Sequence, residues 1–215
     1  MSFYWKNKNL RDNVWVGIMD EDYYDRKLPL LLKIPSSVIS TDKQIYLFKD
    51  AGKIHIGSEI FIEIGEDVPK GSLQQEHLPS YMLRFSIFLC DRRVLNRIDR
   101  PTVRDKYVCL AYSRWYINST GISAPIRNYL GIGSEDYALK INNTKICQSG
   151  SIRIPFSATQ IVYFMNRFMS FKKGDLFSLG YILPLCEVES LQLVNSKLSL
   201  YREEENLLSC LVKMI

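Results

Sequence analysis

The sequence predicts an α+β protein in which strands predominate, folded as a single domain. Three observations indicate this. Most apolar segments are short and alternate with polar residues at a period of two, as half-buried strands do. One segment in the C-terminal third has a helical period instead, and no repeat of solenoid length is present. At 215 residues the chain is long enough to bury a substantial core.

The strands are predicted from alternation and from the turn residues between them. The clearest is Lys53–Ile64, where isoleucines recur on one face and Gly57 and Glu59 are neighbours on the other. Asn142-Asn143 separates two further segments, Tyr137–Ile141 and Thr144–Gln148, in the manner of a β-hairpin. Other strands are expected at Val14–Met19, Gln44–Phe48, Leu83–Leu89, Asp175–Leu179 and Glu187–Leu193.

One helix is predicted to begin after Ser157, which forms a capping box with Gln160. Its apolar residues recur at a helical spacing as far as Met169, a pattern typical of a core-facing side. The residues suited to its C-terminal end are Lys172, Lys173 and Gly174. A second, amphipathic helix could form at Arg202–Ile215 and dock on the body or on a second subunit. Residues 1–32 are interpreted as an N-terminal extension and residues 33–215 as the domain.

Composition argues against several classes of function. The chain has 28 Lys+Arg and 23 Asp+Glu, but its basic stretch from Arg92 to Lys106 is interspersed with aspartates, so nucleic-acid binding is a minor hypothesis. Its five cysteines include no Cys-x-x-Cys pair, which is typical of reduced thiols and not of zinc ligands. No apolar run is long enough to span a membrane and the N-terminus has no signal-peptide pattern, so we expect a cytoplasmic protein.

Several segments follow one another in an order that is typical of a known family. They include Lys140-Ile-Asn-Asn-Thr-Lys-Ile-Cys-Gln148 and Lys173-Gly174-Asp175-Leu-Phe-Ser-Leu-Gly180. The first resembles the L-K-V-N-G-x-x-x-Q motif of the fumarylacetoacetate hydrolase superfamily, and the second resembles its G-D-x-I-x-T-G-T-P motif. Upstream, Lys33-Ile-Pro-Ser-Ser37 resembles its K-P-x-S segment, and His55–Gly65 its metal-binding strand, E-x-E-L-x-x-V-I-G. Cys90-Asp91 and Leu110-Ala-Tyr-Ser113 follow at the places of the Asp ligand and of L-A-K-S-F. The resemblance covers residues 33 to about 201.

The resemblance implies a mixed β-roll, commonly a homodimer, that binds Mg²⁺, Mn²⁺ or Ca²⁺. Its members act on 2-oxo acids or 1,3-diketones as hydrolases, hydratases or decarboxylases. In such a site three carboxylates hold a hard cation, whose open positions chelate the substrate and stabilise an enolate. A nearby lysine adds positive charge beside the oxyanion.

Carried over residue by residue, the resemblance keeps only part of this site. Glu59 and Asp91 correspond to two of the three metal ligands, whereas Gly57 stands at the position of the third. Tyr112, a candidate substrate-binding residue, replaces the catalytic lysine, and Ile152 replaces a threonine. The loop that would hold the substrate carboxylate keeps Gly180, also a candidate substrate-binding residue, but has Tyr181 after it.

Two hypotheses follow for the function. In the first, the chain is a non-catalytic family member that acts in binding or regulation, as a homodimer or as a mixed dimer with a paralogue. In the second, it is a divergent metal-dependent enzyme on 2-oxo acids or diketones, with weakly bound Mg²⁺ or Mn²⁺ at Glu59 and Asp91. That enzyme would use Arg114 to replace the lost lysine charge and His77, beside Glu76, as a catalytic residue from a loop. Lesser candidates are His55 as a base or ligand and Glu66, Asp67 or Glu76 as replacement ligands.

Overall fold

The computed structural model describes residues 14–17, 31–34, 39–40, 43–49, 51–74, 79–91, 119–126, 135–149 and 157–215. Within these ranges the chain forms strands β1 Val14–Gly17, β2 Leu31–Ile34, β3 Ile39–Ser40, β4 Gln44–Leu47, β5 Lys53–Ile64, β6 Tyr81–Asp91, β7 Thr120–Ile122, β8 Tyr137–Ile141, β9 Thr144–Ser149, β10 Leu176–Glu189, β11 Lys197–Arg202 and β12 Glu205–Met214. Its two described helices are α1, Ala158–Asn166, and α2, Ser190–Leu193. Neither is long and apolar enough to cross a membrane.

The strands form two mixed sheets, which agrees with the predicted β-rich α+β class. The seven-stranded sheet has the order β2-β1-β10-β5-β6-β7-β3, and the five-stranded sheet has the order β4-β12-β11-β8-β9. Parallel pairs occur at β1/β10, β3/β7 and β4/β12, and the other described pairs are antiparallel. Because β1 pairs with β10, residues 14–17 of the predicted N-terminal extension form a strand of the seven-stranded sheet.

The hydrophobic core lies between the two sheets. The isoleucines of β5 point into it with Phe85, Ile87 and Leu89 of β6, and the five-stranded sheet contributes residues such as Leu139, Leu200 and Val212. The predicted period of two in β5 is therefore the pattern that buries one face of the seven-stranded sheet. On its other face β5 is also buried from Gly57 onward, so both faces of this strand are covered.

The predicted hairpin and helix start are confirmed. Asn142 and Asn143 both adopt positive φ, 46° and 73°, as a tight turn between β8 and β9 requires. At α1, Ser157 Oγ accepts the Gln160 N–H and the Gln160 side chain accepts the Ser157 N–H. The predicted helix end is wrong, because α1 stops at Asn166. The Asn166 amide is buried and bonded to Leu73 N and Pro69 O, so it ties the chain to a neighbouring loop where the helix ends.

Two predictions for the C-terminal third are wrong. The segments expected as separate strands at Asp175–Leu179 and Glu187–Leu193 belong mainly to one continuous strand, β10, and residues 190–193 form α2. The amphipathic helix expected at Arg202–Ile215 is instead mostly β12, which pairs with β11 and β4. In β12 the buried residues alternate at a strand period, Leu208, Cys210 and Val212, and two neighbouring strands supply its backbone hydrogen bonds.

Candidate functional site

The candidate site lies on the face of β5 opposite the isoleucines. Alternation places Gly57, Glu59 and Phe61 on this face, between β6 on one side and β10 on the other. In the register, Gly57 lies opposite Phe88 of β6, and Glu59 lies between Ser86 of β6 and Tyr181 of β10. These are the strand positions that the sequence resemblance assigned to a metal centre.

The space beside Gly57 is filled by apolar side chains. A Cβ added at residue 57 would lie 2.7 Å from Cε2 of Phe88 and 2.8 Å from Cδ2 of Leu185, closer than carbon atoms pack. The Phe88 ring in turn packs on the Tyr181 ring, with centroids 5.7 Å apart. A glutamate at residue 57 would need this room, so the glycine and the phenylalanine form a complementary pair.

Glu59 is the carboxylate of this face that the structure places in the expected position. It is fully buried, and its Oε2 accepts a 2.7 Å hydrogen bond from Ser178 Oγ. The Gly180 N–H donates to the same Ser178 oxygen at 3.2 Å. Gly180 has φ 134°, a conformation that favours glycine, beside a register shift between β10 and β5. Gly180 therefore supports the hydroxyl that positions Glu59, and its predicted contact with substrate stays a prediction.

The structure does not bring Asp91 next to Glu59, although the sequence resemblance assigns both residues to one metal ion. In the ladder Asp91 lies opposite Ile54, five residues before Glu59, which is about 16 Å along the strand. Because paired residues point to the same side of a sheet, Asp91 also shares the face of Ile54 and not that of Glu59. The sequence placed Glu59 within one predicted strand and Asp91 just after another, Leu83–Leu89, and the β5/β6 register separates the two.

The carboxylates that lie near this face, among them the candidate replacement ligands Glu66 and Asp67, already have partners in the fold. Glu63 forms an ion pair with Arg84, whose Nη1 also donates to Ser123 O at 2.8 Å. Glu66 accepts the Ser80 N–H at 2.8 Å. Asp67 accepts hydrogen bonds from the Lys172 ammonium and the Lys173 N–H. Each of these three carboxylates therefore already has a hydrogen-bond or ion-pair partner in the surrounding structure.

His55 lies on the same face of β5 as Glu59, nearer the start of the strand. Its Nε2 is 3.6 Å from Glu187 Oε2, and Glu187 also accepts a hydrogen bond from the Lys53 ammonium. The remaining candidates, His77, Tyr112 and Arg114, lie outside the described residues, as do Glu76 and Ile152. Their proposed roles remain predictions.

Sequence reasoning missed two residues that define this site, Phe88 and Ser178. Both residues belong to segments that are predicted as strands, but no motif around either residue indicates that it lies beside Gly57 or Glu59. Their positions follow from the β5/β6 register and from the bulged pairing of β10 with β5. The register is a property of three strands together, so a motif in one strand does not reveal it.

The described residues do not fit the divalent metal that the sequence resemblance implies. A hard cation takes six or more oxygen ligands, commonly from several carboxylates. Here Glu59 is separated from Asp91, and Phe88 and Leu185 occupy the room beside Gly57. Across the described part of the chain, no group of three or more His, Cys, Asp or Glu is placed to hold a metal ion.

Comparison with solved structures identifies the architecture, although no protein-family model and no curated protein sequence matches the chain. The 5-carboxymethyl-2-hydroxymuconate delta-isomerase of Mycobacterium smegmatis superposes with a TM-score of 0.68 at 14% identity, covering 96% of this chain and 80% of that one. The fumarylpyruvate hydrolase of Pseudomonas aeruginosa gives 0.66 at 17%, covering 96% and 91%. The chain has the fumarylacetoacetate hydrolase fold. A protein assigned to that family from Yersinia pestis CO92 gives 0.65 at 15%, covering 95% and 94%.

The fumarylacetoacetate hydrolase fold confirms the β-rich architecture that the motifs suggested. The Pseudomonas aeruginosa structure contains Mn²⁺ and pyruvate, so a divalent metal occurs in at least one protein of this fold. The fold does not carry that chemistry with it, because chemistry depends on the side chains of the site.

Proposed function

We propose that this chain is a fumarylacetoacetate hydrolase-family protein that has lost its metal site and acts without catalysis, in binding or regulation. The observation that carries the proposal is the packing of Phe88 and Leu185 against Gly57. If the space beside Gly57 were open, a carboxylate from another segment could replace the metal ligand that residue 57 lacks. Here an aromatic ring lies where the ligand would have to project, so the loss extends beyond a single side chain.

The charge of the site supports the same proposal. Three carboxylates attract a divalent cation strongly in a low-dielectric pocket, and each one removed costs several kcal/mol of attraction as an order of magnitude. Of the family's three positions, one is Gly57 and another, Asp91, lies opposite Ile54. Glu59 alone remains on the expected face, and its Oε2 is bonded to Ser178.

The alternative is a divergent metal-dependent hydrolase, hydratase or decarboxylase acting on 2-oxo acids or diketones. One observation favours it: Glu59 is fully buried and held by the Ser178 hydroxyl, as a preorganised ligand would be. A fold neighbour that contains Mn²⁺ and pyruvate gives the chemistry such an enzyme would use. Under this alternative the missing functions fall to His77, Arg114 and Tyr112.

A thermal titration separates the two proposals. Chelator-treated protein is melted with and without millimolar Mg²⁺ or Mn²⁺, and again with added oxalate or pyruvate. For the non-catalytic proposal we expect the same Tm in every sample, because a ligand raises Tm only by binding the folded state. A metal-dependent rise that oxalate enlarges, and that is lost in Glu59→Gln, would overturn it in favour of the enzyme.

The proposed partner is a second copy of the chain or a paralogue that keeps an active site. Such a mixed dimer would explain why a fold persists after its metal ligands are lost. Sedimentation of the purified chain is expected to report about twice the chain mass. A monomer at all concentrations would contradict an inherited homodimer and leave only the mixed dimer to test by co-expression.

A further inference from the structure

Two cysteines meet at one edge of the interface between the sheets. Cys147 belongs to β9, the edge strand of the five-stranded sheet, and lies opposite Leu139. Cys186 belongs to β10 of the seven-stranded sheet and lies opposite Ile56, whose side chain points into the core. Both thiols therefore point into the space between the sheets, although the two cysteines are 39 positions apart in the sequence.

The two sulfur atoms share a hydrogen-bond acceptor. Cys147 Sγ lies 3.7 Å from the Pro184 carbonyl oxygen, and Cys186 Sγ lies 3.5 Å from the same oxygen. Because both sulfur atoms lie against one carbonyl oxygen, the two thiols are neighbours, and rotation of their side chains is the movement that would bring them to bonding distance.

This pair differs in exposure from the other described cysteines. Cys90 and Cys210 are buried at 0% and 1% exposure, whereas Cys186 is only partly buried. A small oxidant can therefore reach the pair from the Cys186 side.

The two thiols are close enough to affect each other. Burial, together with the neighbouring Cys147 thiol, raises the pKa of Cys186 to about 12.

We infer that Cys147 and Cys186 form an oxidisable dithiol, which hydrogen peroxide converts to an intramolecular disulfide between the two sheets. One of the two thiols gives its proton to solvent, and its thiolate attacks one peroxide oxygen, so that an S–O bond forms, the O–O bond breaks and the leaving hydroxide takes up a proton to become water. The product is a sulfenic acid. The sulfur of the second cysteine then attacks the sulfenic sulfur, the S–O bond breaks, and water leaves with the proton of the second thiol. Two thiols are oxidised while one peroxide is reduced to two waters.

The test uses the folded, reduced, full-length protein treated with hydrogen peroxide. Remaining thiols are alkylated in denaturant and the tryptic peptides are analysed by mass spectrometry. We expect the loss of two of the five thiols and a peptide that links Cys147 to Cys186, with both changes reversed by dithiothreitol. Cys210→Ser, which removes a buried thiol outside the pair, should form the same link.

The variants Cys147→Ser and Cys186→Ser test the pairing. Each is expected to form no linked peptide and to keep, on the cysteine of the pair that remains, a sulfenic acid that dimedone labels. The proposal is overturned if the native wild-type protein keeps all its thiols, or if its links join other cysteines. It is also overturned if the Cys147–Cys186 link appears only after the protein has been unfolded.

Discussion

The Phe88 ring lies against the backbone of Gly57, on the neighbouring strand and directly opposite it in the register. The two residues are complementary in volume, since one lacks a side chain where the other places an aromatic ring. This relationship closes the position that the sequence resemblance assigns to a metal ligand. It also makes the proposal of a lost metal site testable by mutation.

Gly57→Ala is expected to destabilise the fold by about 1–3 kcal/mol, because the added Cβ overpacks a filled site. The cost should fall clearly in a Phe88→Ala background, where the ring that meets the Cβ has been removed. Urea unfolding of the wild type, both single variants and the double variant measures the coupling. Equal costs in the two backgrounds would show that Phe88 does not restrict residue 57.

Glu59→Gln is expected to change the free energy of unfolding by less than about 1 kcal/mol, since the amide oxygen can still accept from Ser178 and a buried charge is removed. Ser178→Ala should cost more, about 1.5–3 kcal/mol, because it removes a hydrogen bond to a buried carboxylate. Both are measured by urea unfolding in chelator. A large loss for Glu59→Gln would instead indicate that the charge at residue 59 is needed in the folded state.

Arg84→Met is expected to cost about 3–5 kcal/mol, because it leaves Glu63 buried without its ion-pair partner. The double variant Arg84→Met/Glu63→Leu should recover much of this loss. Lys53→Ala provides a matched control at the more exposed Lys53–Glu187 pair, where a cost of about 0.2–1 kcal/mol is expected. If the buried and exposed pairs gave equal losses, the burial of Glu63 and Arg84 would not be the cause.

Under reducing conditions, stability should fall as the pH rises from about 9 towards 12. The pKa of Cys186 is raised from 9.0 to about 12 in the folded protein. Above pH 9 the unfolded chain loses this proton while the folded protein keeps it, so unfolding releases a proton and becomes more favourable. The measurement is the difference in unfolding free energy between the wild type and Cys186→Ser across this range. A difference that does not vary with pH would contradict the raised pKa.

Elements that depend on residues close together in the sequence were predictable. The strand Lys53–Ile64, the Asn142-Asn143 hairpin and the capping box at Ser157 all match the structure. The end of α1 was not predictable, because the Asn166 side chain bonds to a loop almost a hundred positions earlier in the chain. The C-terminal strand β12 was also missed. Its backbone hydrogen bonds are made with β4 and β11, and the sequence of β12 alone does not indicate those partners.

The sequence by itself determined that Glu59 lies on a strand, that Asp91 follows another strand and that Gly57 offers no ligand. These facts need only residue identity and a period of two. Only the tertiary structure decided that Asp91 lies opposite Ile54, that Phe88 fills the space beside Gly57, and that the Cys147 and Cys186 sulfurs lie against one carbonyl oxygen. The physical reason is that strand register and sheet packing are set jointly by distant segments, and a shift of one residue would turn every side chain to the other face.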